Sequence, residues 1–548
     1  MMMLTINSND DIITLIDGKR LSGIKLHLPV SSLNPVIAYY GVRYASLGVS
    51  YKSNDYLSKT TTTTTVFTNY SNNIEMPALH RFSHSVASFF YESPIGIYSH
   101  TTLPPVCPQQ LININSEDKN IPKQVKDRFI RLLPFLRNQD EDCLTLNIYV
   151  PQEDNKRQFY KRPIFLFVHG ESYEYGSGNA YDLSVLSSYS NTIGITLNYR
   201  LGLLGFFSIN NHGVSGNYAL YDLHAAIMWI KTNIESFNGN PEEITLIGYG
   251  HGASLIHLFS LSKMSQAPDI ETSLFMKTDL LIGWTDAPAS NLYYLQNDIH
   301  RMSYSDVLQQ LVHEIYPYNQ DAIKEIIEHA YCYSNELSLD SKKNNDDTID
   351  NPGENIKENN CHWKIQDILS DGLYIVPIVQ TLKMHSEHHT GQSNIQSSSS
   401  SLSSSLFTVG VHTKASSKKQ FNNHNNDNVK SRKSTYALFF NYKTFQTLQK
   451  SKNTTTKQHL SMEKCGFGED LPYLLGAPFI SPNQLAPFSN EYSEIDKIIS
   501  INLMNYLTNF MHNGDPNKEF IEKQTKMTPI NWPEYTSDAK FYLQIGKK

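Results

Sequence analysis

The stretch Asn238-Gly-Asn-Pro-Glu-Glu-Ile-Thr-Leu-Ile-Gly-Tyr-Gly-His-Gly-Ala-Ser-Leu-Ile-His-Leu258 decides how this chain is read. Ile244 to Ile247 is a short apolar run of strand type. Gly248, Gly250 and Gly252 then alternate through a tight turn, and an apolar run of helical type follows. Strand, glycine-spaced turn and helix form the frame that presents a nucleophile within Gly-x-Ser-x-Gly. Gly248 and Gly252 hold the outer positions of that pattern. The central position is Gly250, which has no hydroxyl to present.

Size and charge narrow the classes. A chain of 548 residues, 40% apolar and 11% aromatic, can bury one large α/β core or two ordinary ones. A net charge of -7 implies no strongly basic face and argues against nucleic acid as a partner. The five cysteines, Cys107, Cys143, Cys332, Cys361 and Cys465, show no metal-ligand spacing, and an odd number leaves at least one unpaired within the chain. The N-terminal residues lack the apolar segment of a secretory leader, and no run of 18 apolar residues marks a membrane span.

Working outward from the turn, the pattern is that of a doubly wound α/β domain. Residues 12–50 alternate as antiparallel strands do. Leu144–Val150, Ile164–Val168, Ile193–Tyr199 and Ile244–Ile247 read as strands, and the unbroken apolar run Ile164–Val168 predicts burial on both faces. Leu220, Leu223, Ile227, Ile230 and Ile234 make a helical stripe between the last two. Leu280–Ile282 and Tyr436–Tyr442 read as further strands, and Phe541–Ile545 as the last. Helices are predicted at 302–316, 321–331, Trp363 to His385 with a bend at Pro377, and Glu494–His512. Three segments read as low-complexity or disordered insertions in a single domain spanning 1–548: 51–75, 335–360 and the Ser/Asn-rich 386–433.

Motifs in this order resemble the type B carboxylesterase/cholinesterase family, and within it the neuroligins. They include Gly41-Val-Arg-Tyr-Ala-Ser46, Cys107-Pro-Gln109, Glu141-Asp-Cys-Leu-Thr-Leu-Asn147 and His169-Gly-Glu-Ser-Tyr173. Asn198-Tyr-Arg-Leu-Gly202, Gly216-Asn-Tyr-Ala219, Gly468-Glu-Asp-Leu-Pro-Tyr473 and Asn509-Phe-Met-His-Asn-Gly514 continue the series. The resemblance implies an α/β-hydrolase fold with a mostly parallel central sheet flanked by helices. It also implies a disulfide between Cys107 and Cys143. Cys332, Cys361 and Cys465 match no family pair.

The resemblance allows the chemistry to be tested position by position. A Ser-His-acid triad needs a nucleophile, a base and an orienting carboxylate. The nucleophile position holds Gly250, the family's histidine position holds Phe467, and the acid loop has no counterpart. The family's oxyanion run His-Gly-Gly is His169-Gly170-Glu171 here, and a carboxylate there repels a developing oxyanion. The expectation is therefore no enzyme and no catalytic residues. His251 with Ser254 forms a substitute pair only if an acid orients it, and none is identifiable. His385-Ser-Glu-His-His389 carries metal-ligand residue types but abuts the low-complexity segment, which argues against a specific site. Asp340–Asp350 lacks the glycine and closing glutamate of a calcium loop, so no metal site is assigned.

The match fades near Asn291 and resumes near Val312, as if a core strand, its helices and the acid loop were missing after the strand that follows the elbow. Such a loss would leave apolar edges exposed. Function is expected to be non-catalytic adhesion at the extracellular side of the plasma membrane, with a neurexin-like surface partner and calcium only at that interface. The partner-binding residues are unknown. Asn69 and Asn453 are candidate glycan sites. The family's homodimer uses two helices per subunit: the first resembles residues 321–333, and the C-terminal one has no counterpart. Two alternatives stay open, a divergent esterase and a truncated product of a neuroligin-like gene.

Overall fold

The computed structural model describes residues 12–47, 81–87, 96–111, 121, 123–152, 161–209, 216–265, 273–295, 299, 302–333, 364–390, 409–414, 433–443, 464–480, 487–488, 491–519 and 530–546, and every statement below concerns these. The expectations for 51–75, 335–360, Asp340–Asp350, Cys361, Asn69 and Asn453 lie outside them.

Ten strands form the main sheet. In chain order they are β1 (Ile24–Leu26), β2 (Val36–Arg43), β3 (Thr145–Pro151), β4 (Arg162–Val168), β5 (Ile193–Leu197), β6 (Gly239–Gly248), β7 (Asp279–Thr285), β8 (Val409–Lys414), β9 (Thr435–Asn441) and β10 (Leu543–Gly546). Across the sheet the order is β10-β9-β7-β8-β6-β4-β5-β3-β2-β1. β1, β3 and β8 run against the other seven. The sheet is thus mostly parallel in strand direction, with an antiparallel flank at β3-β2-β1. Ile12–Thr14, Arg20–Ser22 and Ile97–Ser99 make a smaller sheet.

Burial explains the central strands. Every residue of β4 and β5 is buried, so neither shows the alternation of a half-exposed strand. Helices cover the faces: α1 (Lys123–Leu132), α2 (Tyr218–Asn233), α3 (His251–Leu261), α4 (Tyr304–Ile315), α5 (Gln320–Glu328), α6 (Ile365–Ser370), α7 (Val376–Thr390) and α8 (Glu494–Asn513). The helical stripe at Leu223, Ile227 and Ile230 is the buried side of α2. Helix α8 starts on a capping box, in which Ser493 and Asp496 bond each other's backbone N–H, and stops at Gly514 with a left-handed φ of 72°. Between α6 and α7 the helix widens over Asp371–Ile375, one turn before Pro377. The proline ring would clash with the turn before it in regular geometry, so the bend precedes it.

One expectation is corrected. Segment 386–433 is not an insertion throughout. Helix α7 continues to Thr390, and Val409–Lys414 is β8, hydrogen-bonded antiparallel between β6 and β7. Strands at the centre of a sheet leave no backbone group unpaired, and that requirement outweighs the polar composition of the flanks. At the strand that follows the elbow, β7 pairs with β8 on one side and in parallel with β9 on the other, so both of its edges are closed.

Candidate functional site

The elbow forms as the sequence predicts. Strand β6 ends at Gly248, and α3 begins at His251. Gly250 between them has φ 53° and ψ −126°, a backbone that side-chain-bearing residues adopt only under strain. Gly252 allows the helix to start against the end of β4: a Cβ on it would lie 2.2 Å from the Val168 carbonyl oxygen. The Ala253 N–H then bonds the Gly250 carbonyl at 3.0 Å, which opens the helix.

Gly250, Phe467 and Gly170 meet here. A Cβ built on Gly250 would lie 2.8 Å from Cζ of Phe467 and 3.0 Å from the Gly170 carbonyl oxygen. The Phe467 ring, 6% exposed, therefore fills the space beside the elbow. Its backbone is tied down on the far side, where the Phe467 N–H donates to Ser290 Oγ at 2.8 Å and the Ala287 N–H donates to the Cys465 carbonyl at 2.9 Å. Tyr249 is fully buried, and its ring lies 4.7 Å from that of Phe467.

Glu171 is buried beside them and is paired. Arg128, on α1, donates from Nη2 to Glu171 Oε1 at 2.8 Å and to the Tyr249 hydroxyl at 2.6 Å. Its Nη1 donates to the Phe467 carbonyl at 2.5 Å. The guanidinium also lies over both rings, 5.1 Å from the centroid of Phe467 and 5.6 Å from that of Tyr249. Burial disfavours the Arg128 charge, but Tyr249 and Glu171 outweigh it and hold the guanidinium above its ordinary range. Burial pushes the Tyr249 hydroxyl well above its ordinary value, so it stays a neutral phenol. The turn after Glu171 is strained, with Ser172 and Tyr173 at φ 60° and 59°.

His251 and Ser254 both lie in the first turn of α3. The His251 Nδ1 accepts the Ser172 N–H at 3.1 Å, and its ring meets Tyr173 edge-on at 4.8 Å. Burial lowers its pKa to about 4, so the ring is neutral. Ser254 is fully buried within α3. His169 stacks on Tyr199 at 4.5 Å, and burial lowers its pKa to about 3.

The other candidates resolve separately. Cys107 and Cys143 are disulfide-bonded. Cys332 is also disulfide-bonded, and Cys465 is a buried free thiol. His385 is a core histidine, with Nδ1 2.7 Å from Thr435 Oγ1 and Nε2 3.0 Å from the Thr278 carbonyl. Both nitrogens are engaged, and no cluster able to hold a metal ion occurs among the described residues. Sequence reasoning missed Arg128. A carboxylate at Glu171, three residues after the fully apolar run Ile164–Val168, was the available signal, because a buried charge demands a partner.

The carboxylesterase family model matches residues 79–276 and 387–548, more than half of the chain, and leaves the interval with α4 to α6 unmatched. Neuroligin-2 of Mus musculus is 28% identical over 512 residues, covering 83% of this chain and 59% of that protein. Neuroligin-3 of Mus musculus is 25% identical over 602 residues, covering 96% of this chain and 66% of that protein. Neuroligin-1 of Caenorhabditis elegans is 26% identical over 543 residues, covering 80% and 62%. The chain thus spans about three-fifths to two-thirds of the length of these relatives. With an elbow-bearing α/β sheet and a family match on both sides of it, the chain belongs to the carboxylesterase family, as a neuroligin-like member of it.

Proposed function

We propose that this chain is a non-catalytic adhesion-type protein that acts at the extracellular side of the cell surface by binding a protein partner. One observation carries the first half: the elbow offers no hydroxyl at Gly250, and the Phe467 ring fills the space beside it. Gly250 supplies no nucleophile, and Phe467 supplies no imidazole to take a proton. The Glu171 carboxylate in the oxyanion turn opposes the same chemistry.

The adhesion half is supported by the neuroligin relatives and by the Cys107–Cys143 disulfide, which suits an oxidising compartment. Among the described residues no helix is long and apolar enough to cross a membrane. In this reading the partner is a neurexin-like domain, calcium enters only at that interface, and no cofactor is used. A homodimer through α5, whose Ile326 is exposed, belongs to the same reading.

The test is surface binding of neurexin-type domains to the purified chain, with and without calcium, beside turnover of an aryl ester. Binding with no turnover above buffer is expected. Failure to bind any surface receptor overturns the adhesion reading. Ester turnover that disappears in His251→Ala overturns the non-catalytic one.

A further inference from the structure

The Cys107–Cys143 disulfide closes a loop of the chain whose ends are 36 residues apart, and α1 lies inside it. The base of the loop is fixed by the covalent bond. Its middle is fixed elsewhere. Arg128, from α1, makes its three hydrogen bonds to three separate pieces of chain: Glu171 after β4, Tyr249 after β6, and the Phe467 carbonyl in the segment following β9. Those pieces are the ones that hold the altered catalytic positions. Phe129 and Leu132 add ordinary apolar burial on the same helix.

We propose that Arg128 is a positioning residue, a latch that fastens α1 to the elbow and turns the vacated catalytic position into a closed joint. Three features support a latch over a mere counter-charge. The guanidinium spends donors on a phenol and a carbonyl as well as on the carboxylate. A planar fork reaches the three acceptors from two separate nitrogens with fixed donor directions, whereas an ammonium offers its donors from a single atom. The same group lies over the ring that fills the elbow, so α1, Phe467 and Gly250 are held in succession. This inference does not depend on which partner the protein binds.

Hydrogen exchange followed by mass spectrometry on the full chain tests it, using Arg128→Met, Arg128→Lys and the double variant Arg128→Met/Glu171→Met. In Arg128→Met the amides of Lys123–Leu132 are expected to exchange roughly tenfold faster or more, with β4 and β5 unchanged. Arg128→Lys is expected to protect the helix only in part. The double variant removes the lone buried carboxylate but not the loss of the latch, so α1 is expected to stay unprotected. Protection of α1 restored in the double variant would reduce Arg128 to a counter-charge and overturn the proposal. So would unchanged exchange in α1, or faster exchange throughout the sheet in all three variants. If Arg128→Met does not fold, the comparison of the lysine and double variants still decides between latch and counter-charge.

Discussion

Restoring a serine at Gly250 is expected to fail for a reason that can be measured. The backbone there, φ 53° and ψ −126°, costs a side-chain-bearing residue about 1–3 kcal/mol. The new Cβ would meet Phe467 Cζ at 2.8 Å and Cε2 at 3.2 Å, and overpacking of that kind costs about 1–3 kcal/mol more. Gly250→Ser alone should therefore destabilise by about 2–6 kcal/mol. Phe467→Ala empties a buried ring site and should cost about 3–5 kcal/mol. In the double variant the serine enters the space that the ring leaves. The ring's share of the overpacking cost then vanishes while the contact with the Gly170 carbonyl oxygen at 3.0 Å remains, and the pair should be less destabilising than the sum of the singles by about 1–3 kcal/mol. The assay is chemical denaturation of the four proteins in one double-mutant cycle. Additivity within about 0.5 kcal/mol would refute the claim that Phe467 occupies the space a nucleophile needs. No aryl ester turnover is expected of the double variant, since neither a base nor an unopposed oxyanion site comes with it.

Other outcomes follow from the same geometry. Cys107→Ser/Cys143→Ser opens a loop whose ends are 36 residues apart and should lose up to about 4 kcal/mol by chain entropy, read as a lower denaturation midpoint. His251 is held below its unfolded value of 6.5, so its contribution is full above pH 6.5 and is lost as pH falls through about 4, amounting to about 3 kcal/mol. His251→Gln should therefore flatten the fall of stability between pH 6.5 and 4 by about one proton, and an unchanged slope counts against a neutral buried ring. Asp222, fully buried, takes two bonds from the Arg200 guanidinium at 2.7 and 2.8 Å, and Asp222→Asn should cost about 3–5 kcal/mol in thermal or chemical unfolding. Val411→Pro sits in β8 opposite Leu246 and Leu280 and should cost about 3 kcal/mol; a neutral result would place 409–414 outside the sheet.

The parts legible in the sequence are those whose cause is local. Ile164–Val168 is apolar at every position because helices cover both faces of β4, and that run announces itself. The elbow is legible because close approach at Gly252 and positive φ at Gly250 each demand glycine. β8 was hidden because a six-residue strand has little local signal and its Ser/Asn-rich flanks carry the opposite one; only its two neighbours identify it. Arg128 was hidden for a related reason. Its partners lie 43, 121 and 339 residues away in the chain, and no spacing rule reaches that far. The histidine run at 385–389 carries ligand residue types, but its role is likewise set at a distance, where Thr278 and Thr435 make His385 a core side chain.

Strand β8 also sets a schedule for synthesis. β6 ends at residue 248, and the strand that pairs its outer edge begins at residue 409. At typical rates of about 5–20 residues per second, the ribosome needs roughly 10–30 s to make the chain between them. Throughout that interval the edge of the elbow strand has no partner from its own sheet. An unpaired apolar edge of that kind recruits strands from neighbouring nascent chains. Yield of the folded protein should therefore depend on how crowded the translating ribosomes are and on what holds that edge in the meantime.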